Sequence, residues 1–373
     1  MKSVLFIVST LRKSGPTNQL LHLCRELPQF GFRPRVLTLS PENPADTASS
    51  RFNELGVQWT SVGLSRLAGT FLLKRRVRQV IDEVRPDVIH SQGLRSDQVA
   101  SQVHGSIPHV LTIRNSAWDD YPPMYGRLKG SLMAWQHLQL IRTAQCPIAC
   151  SKSLAENLQK YRPNLKAIPN GVDTEAYTPV PASEQSKLRR QLGLPESRPI
   201  LLHVGSLIER KRPRELLKAL QEGGMLESMD LVFAGDGPLR AEMERHARSN
   251  AHVHFAGAVK NVADYLRSAT LLISLSRAEG LPNSVLEALS CGLPVVLSAI
   301  DAHIEIGAHE NGAGVLVQDT SAKSVSDAIS RLLSQDRTLL ADNARRLAVD
   351  VFSSRSTAAR YAETYSALLA SGK

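Results

Sequence analysis

Cysteine is scarce in this chain of 373 residues: Cys24, Cys146, Cys150 and Cys291 form no CxxC pair and no zinc spacing. That excludes a disulfide scaffold or a cysteine-built metal site and points to a reducing compartment. Long apolar runs are absent too, since no stretch approaches the roughly 18 residues a membrane-spanning helix needs. The amino end begins like a signal peptide, one Lys and then Val4-Leu-Phe-Ile-Val8. The run is short, however, Arg12 and Lys13 follow at once, and no small-residue cleavage site is present. It reads as a first buried strand of a soluble protein, free in the cytoplasm or held peripherally on the inner face of the membrane. Internal repeats and low-complexity tracts are also missing. No aromatic-interleaved basic motif or recognition-helix signature appears, so nucleic acid is not the expected partner.

What is present is the make-up of a soluble globular protein, 42% hydrophobic and 21% charged, long enough for two domains. The charge is uneven. Residues 1–170 hold 22 Lys and Arg against 11 Asp and Glu, a net of +11, and the remainder holds 23 against 24. Part of the excess is Lys74-Arg75-Arg76-Val77-Arg78, on a helical pattern with apolar Leu67, Phe71, Leu72 and Val77. A lone cluster of this kind is most often a solvated helix face. A whole half-chain at +11 points instead to an anionic partner, either a membrane surface or a phosphorylated acceptor.

Short apolar runs alternate with amphipathic segments almost throughout. The first half predicts strands at Val4–Ser9, Arg35–Leu39, Val57–Val62, Asp87–His90, His109–Ile113, Pro147–Cys150 and Lys166–Ile168, separated by helices such as 17–27, 72–84 and 127–144. A proline-rich break spans 173–198, read as a linker with a lead-in helix. A second series follows, with strands at Ile200–Val204, Asp230–Ala234, Val253–Phe255, Leu271–Leu275, Pro294–Leu297 and Gly314–Val317. This β-α order predicts an α/β protein of two doubly wound Rossmann-like domains, 1–172 and 199–352, facing each other across a cleft. The last segment, 353–373, is a helix expected to pack back on the first domain.

In parallel sheets ligands bind beyond the carboxyl ends of strands. The strongest motif there is Glu279-Gly-Leu-Pro-Asn-Ser-Val-Leu-Glu287, after an apolar strand and opening a helix. Glu279 can accept from sugar hydroxyls. Gly280 admits close backbone approach, the amides near Asn283 and Ser284 suit phosphate, and Glu287 can accept from ribose. The bland reading is a helix start with incidental acids. His203-Val-Gly205-Ser206 leads to Arg210, Lys211 and Arg212 before another helix, cations suited to a diphosphate leaving group, against the bland reading of a solvated basic turn. Gly235-Asp-Gly237 lacks the third glycine of a dinucleotide fingerprint, and the Gly15 turn lacks the Lys of a P-loop. By themselves these support only tight turns, although the Gly15 backbone could face the same ligand.

In order along the chain, these motifs resemble the retaining glycosyltransferase family 4 (group 1) of GT-B architecture. The resemblance also rests on Asp87-Val-Ile-His90-Ser-Gln92-Gly93, Ile168-Pro-Asn170-Gly171-Val-Asp173 and Gly292-Leu-Pro294. It implies a metal-independent hexosyltransferase without cofactor, moving a hexose or N-acetylhexosamine from a UDP- or GDP-linked donor. The implied acceptor is a glycan or lipid-linked precursor of a cell-surface polysaccharide, lipopolysaccharide or O-antigen. It implies catalytic roles for Glu279, Lys211 and Arg210, and donor contacts from Gly15, Gly205, Ser206, Lys211, Gly280, Leu281, Pro282, Asn283, Ser284 and Glu287. His90, Arg114 and Asn115 are the implied acceptor-side residues. Three positions depart from the family pattern: Ser206 stands for a frequent Arg, Arg114 for a His, and Gln92 for a second His. An epimerase or sugar-phosphate synthase on the same scaffold, or a non-catalytic nucleotide-sugar-binding subunit, are the competing readings.

Overall fold

The computed structural model describes residues 1–65, 70–248 and 250–371. The chain divides into two units: unit 1 is Met1–Gly171 with Ser354–Lys373, and unit 2 is Val172–Ser353.

Unit 1 runs β1 (Lys2–Val8), α1 (Gly15–Glu26), β2 (Phe32–Thr38), α2 (Ser49–Glu54), β3 (Gln58–Ser61), α3 (Thr70–Val84), β4 (Val88–Gln92), α4 (Leu94–Val103), β5 (His109–Ile113), α5 (Ala117–Tyr125), α6 (Arg127–Thr143), β6 (Cys146–Ala149), α7 (Lys152–Asn157) and β7 (Lys166–Ala167). The strands form one parallel sheet in the order β3-β2-β1-β4-β5-β6-β7. β1 lies at its centre, which is why its apolar run is unbroken: both faces are covered. Val4, Phe6 and Val8 point to the layer holding α1, while Leu5 and Ile7 point to α3 and α4. β2 starts before the expected Arg35 and takes in Pro34. Its pairing with β3 begins only at Arg35, so the missing amide of Pro34 disrupts no ladder on that side. On α3, Leu73, Val77 and Ile81 are buried, but Leu72, expected on the apolar face, is exposed. Leu67 lies outside the described residues, as does the side chain of Phe71.

Unit 2 runs α8 (Ala182–Gln191), β8 (Ile200–Val204), α9 (Pro213–Glu222), β9 (Asp230–Ala234), α10 (Arg240–Ala247), β10 (Val253–Gly257), α11 (Val262–Ser268), β11 (Leu271–Ser274), α12 (Asn283–Ser290), β12 (Val295–Ser298), α13 (Asp301–Ile306), β13 (Gly314–Val317), α14 (Ala322–Leu333) and α15 (Arg337–Phe352). Its parallel sheet is ordered β10-β9-β8-β11-β12-β13, reversing direction between β8 and β11. Such a switch point leaves a crevice at the strands' carboxyl ends. The stretch 173–198 is no free tether. Buried Arg189 donates to the carbonyls of Ser268, Glu196 and Arg198 at 2.8, 3.0 and 2.9 Å, fixing α8 to the body of unit 2.

α16 (Ser354–Ser371) returns to unit 1. Ala358, Tyr361, Ala362 and Tyr365 recur at i, i+3, i+4 and i+7 and are buried in the core with α1. At the crossing, a Cβ on Gly171 would stand 2.6 Å from Ser354 Cα, so only glycine fits there. Thr357 Oγ1 donates to the Pro169 carbonyl at 3.0 Å.

Candidate active site

Two neighbouring loops at the switch point of unit 2 carry most of the residues expected to contact a donor. After β8 the chain turns at Gly205, whose φ of 150° favours glycine, and the Lys211 side chain lies across it. The turn rests on the Gly235-Asp-Gly237 segment. A Cβ on Gly235 would stand 1.9 Å from the Gly205 carbonyl oxygen, and one on Gly237 2.5 Å from that of Leu207. The amides of Gly205 and Leu207 donate to Ala234 and Asp236 at 3.1 and 3.0 Å. The G-x-G pattern is thus a backbone-on-backbone seat for the 205–207 loop. Ser206 is exposed at its tip.

A single helical turn, Glu209–Lys211, then presents two cations to the loop after β11. Arg210 donates to the Ala278 carbonyl at 2.6 Å and to Glu279 Oε2 at 3.0 Å. Lys211 Nζ lies 2.6 Å from Glu279 Oε1. Each carboxylate oxygen of Glu279 therefore faces its own cation, with the side chain nearly buried. Burial alone would push this carboxyl up, but Lys211, then Arg210, and a hydrogen bond from Ser276 bring it down to about 2. The group stays ionised at any ordinary pH.

Gly280, Leu281 and Pro282 are buried and lead into α12, where Asn283 and Ser284 form a half-buried first turn. The first amides of a helix have no partner within it, which is what suits this turn to an anion. Glu287 is buried further along the same helix.

The sequence reading left out the loop after β12. Ser298 Oγ donates to the Ser276 carbonyl at 2.7 Å, and His303 Nδ1 lies 2.9 Å from the Ser298 carbonyl. A ring nitrogen facing a carbonyl carries the proton. Burial foremost holds His303 down to about 4, so the ring is neutral at neutral pH. His203 is lowered to about 4 in the same way, by burial and then by Lys211. The one signal for this loop in the sequence is its place at the carboxyl end of a strand.

In unit 1, Gly15 opens α1 behind the Ser14 cap and is exposed. Arg114, at the end of β5, is held by both its neighbours, donating to Gln92 Oε1 at 2.9 Å and to Asn170 Oδ1 at 2.6 Å. Asn115 is turned to Asp120 Oδ2 at 2.6 Å. His90 corrects the acceptor-side expectation. It is 2% exposed, with Nδ1 2.6 Å from the Tyr365 hydroxyl and Nε2 2.7 Å from Thr112 Oγ1. Thr112 Oγ1 in turn pairs with the Tyr361 hydroxyl at 2.9 Å. Both ring nitrogens are spent on anchoring α16, and burial, then Arg114, holds the ring well below the usual imidazole range. Among the described residues, no group of three His, Cys, Asp or Glu side chains could hold a metal ion, and no helix is long and apolar enough to cross a membrane.

Two parallel Rossmann-like sheets, with the clamp at the switch point of the second, are the marks of a GT-B glycosyltransferase. The comparisons agree. Residues 13–176 match Glycosyltransferase Family 4 and residues 184–347 match Glycosyl transferases group 1, and the chain belongs to this family. It is 30% identical, over 67% of its length and 62% of the relative's, to a Bacillus subtilis protein named as a teichuronic acid biosynthesis glycosyltransferase. It is 29% identical to a D-inositol 3-phosphate glycosyltransferase of Xylanimonas cellulosilytica, over 69% of this chain and 67% of that one. The crystal structure of Anabaena HepE in complex with UDP and glucose superposes with a TM-score of 0.83 at 20% identity, covering 98% of this chain and 100% of that one.

Proposed function

We propose that this protein is a retaining, metal-independent glycosyltransferase that moves a hexose or N-acetylhexosamine from a UDP- or GDP-linked donor to a glycan or lipid-linked precursor of a cell-surface polysaccharide. The observation that carries the reading is the Arg210–Glu279–Lys211 clamp between the Gly205 turn and the start of α12. Two cations on one buried carboxylate leave the site with a net positive charge, which a diphosphate can meet by taking over the cations. Glu279, so released, accepts hydrogen bonds from the sugar hydroxyls. Glu287 accepts from both ribose hydroxyls, and the backbone from Gly280 to Ser284 borders the sugar and phosphates.

As the bond from the anomeric carbon to the phosphate oxygen breaks, negative charge grows on the leaving diphosphate, where Lys211 and Arg210 stand, and the sugar takes on oxocarbenium character. The acceptor hydroxyl bonds to the anomeric carbon on the leaving-group face, and its proton passes to the departing phosphate oxygen. The protein contributes positioning and fixed charge, and no side chain attacks the sugar. We assign the acceptor to unit 1, with Arg114 and Asn115 as the candidate contacts, and place the protein at the inner face of the membrane. The name of the Bacillus relative, for teichuronic acid biosynthesis, supports a surface-glycan acceptor, and HepE's UDP and glucose support the donor class.

A panel of UDP- and GDP-sugars scored by thermal shift tests the reading. A ligand at about a hundred times its Kd stabilises the native state by about 2.7 kcal/mol. The proposal expects one nucleotide class to raise Tm and the matching sugar to be hydrolysed slowly by water. Conversion of the donor to another nucleotide sugar, without acceptor, would make the protein an epimerase instead.

A further inference from the structure

Large apolar side chains on the surface of unit 1 gather on one helix pair. On α6, Leu128 is 92% exposed, Leu132 56% and Trp135 55%, and on α5, Met124 is 66% and Trp118 44% exposed. Leu128, Leu132 and Trp135 stand at i, i+4 and i+7, one stripe of the helix. The opposite stripe, Gly130, Ala134, Leu138 and Ile141, is the one buried in the fold. The exposed stripe cannot roll inward. A Cβ on Gly130 would stand 2.4 Å from the Tyr121 carbonyl oxygen, so α5 and α6 are in backbone contact. His137, on the buried side, pairs with the Tyr121 hydroxyl at 3.0 Å and lies 3.4 Å from Asp97 of α4.

The charges around this stripe are mostly positive. α6 carries Arg127, Lys129 and Arg142 and no acid. Lys129 lies over the Tyr125 ring, 5.8 Å from its centroid. Of the two acids of α5, Asp120 accepts from the Asn115 amide, which leaves Asp119 as its exposed acid. α4 packs against both α3 and α6, so the exposed Arg75, Arg76 and Arg78 of α3 belong to the same helical layer. Asp82 and Glu83 stand at the far end of α3. An exposed apolar patch of this kind marks an interaction site. Apolar area alone would suit a protein partner, but tryptophan and leucine flanked by arginine and lysine are the composition of a helix lying in a bilayer interface.

We propose that the α5–α6 face docks on an anionic lipid bilayer, with Leu128, Leu132 and Trp135 at the boundary between headgroups and acyl chains. Arg127, Lys129 and Arg142 sit among the anionic headgroups, and the α3 arginines add long-range attraction. This rests on the reading of the acceptor as lipid-linked and names the surface that brings the enzyme to it.

The test compares the wild type with the double variant Leu128→Ser, Leu132→Ser on vesicles of phosphatidylcholine alone and with added phosphatidylglycerol. Co-sedimentation and tryptophan emission are both read. Trp118 and Trp135 report the face, while Trp59, hydrogen-bonded to Asn53, gives a constant background. The expected result is wild-type binding to the phosphatidylglycerol vesicles with a blue shift. The double variant should bind more weakly by on the order of tenfold or more, since two leucines no longer leave water. Thermal shift with nucleotide sugars, run on both forms, shows whether the variant is folded. Wild type that ignores anionic vesicles, or a folded variant that binds them equally, overturns the docking surface. So does a wild-type dimer in the absence of lipid that the variant breaks into monomers. If neither form responds to any nucleotide sugar while vesicle binding still follows the apolar face, the docking stands and the glycosyltransferase reading falls.

Discussion

Glu279 illustrates how one carboxylate can organise a site: it gathers Arg210 and Lys211, which on their own would repel each other, and stays ionised because they surround it. Its pairing predicts that donor binding shows no acidic limb from this group between about pH 4 and 8, measurable by titrating nucleotide across that range. Lys211→Ala should lower turnover more than donor affinity, because the charge it meets is greatest in the transition state. Equal losses in both would make Lys211 a binding residue only. The E-x7-E spacing and the Arg210-Lys211 pair were legible in the sequence because strand, loop and helix signals enclosed them. What the sequence could not carry was partnership. Nothing local in Asp87-Val-Ile-His90 says that both nitrogens of His90 meet groups from distant segments, Thr112 and Tyr365. Nor does Gly235-Asp-Gly237 announce that its glycines are needed for the backbone of residues 205–207.

At the scale of elements, the strands were read well because central parallel strands are unbroken apolar runs. The helices were read less completely. α5 holds Pro122 and Pro123, which argue locally against a helix, whereas α6 was expected at 127–144 and forms at Arg127–Thr143 although apolar residues lie on two of its faces. α16 is the element whose role lies in packing: its tyrosines close the core of unit 1 over His90. Tyr365→Phe removes one hydrogen bond and leaves His90 Nδ1 buried without its partner. The cost should be about 1–3 kcal/mol of stability, read as a lower Tm, with nucleotide affinity unchanged. An unaltered Tm would mean that the network is incidental to the hold of α16. On α3, neutralising Arg75, Arg76 and Arg78 should reduce the salt-sensitive part of any vesicle binding, at about 1 kcal/mol per charge, leaving the share of the α6 cations. Donor hydrolysis should barely change.

Across the whole molecule, chemistry and charge are divided between the halves. The clamp lies in unit 2, while the excess positive charge of +11 lies within residues 1–170. The buried histidines add a pH dependence to the fold. His109, His203 and His303 are each lowered to about 4, chiefly by burial. The unfolded chain binds protons from about pH 6.5 downward while the folded chain resists until about 4, so stability falls as pH drops through that window. The slope is up to about 1.4 kcal/mol per pH unit for each histidine, and a Tm series from pH 7 to 4 reads it. A flat Tm across that range would mean that these rings titrate normally.

The central claim, a nucleotide-sugar donor held in unit 2, is tested most directly by calorimetric titration of UDP and GDP into the wild type and into Glu287→Ala. The account predicts that the wild type binds one of the two. The variant, folded with a native thermal transition, should bind it weaker by at least roughly tenfold, because hydrogen bonds to a charged group are worth about 1.5–3 kcal/mol each. Equal affinity in the two proteins, or no binding of either nucleotide by the wild type, would contradict it.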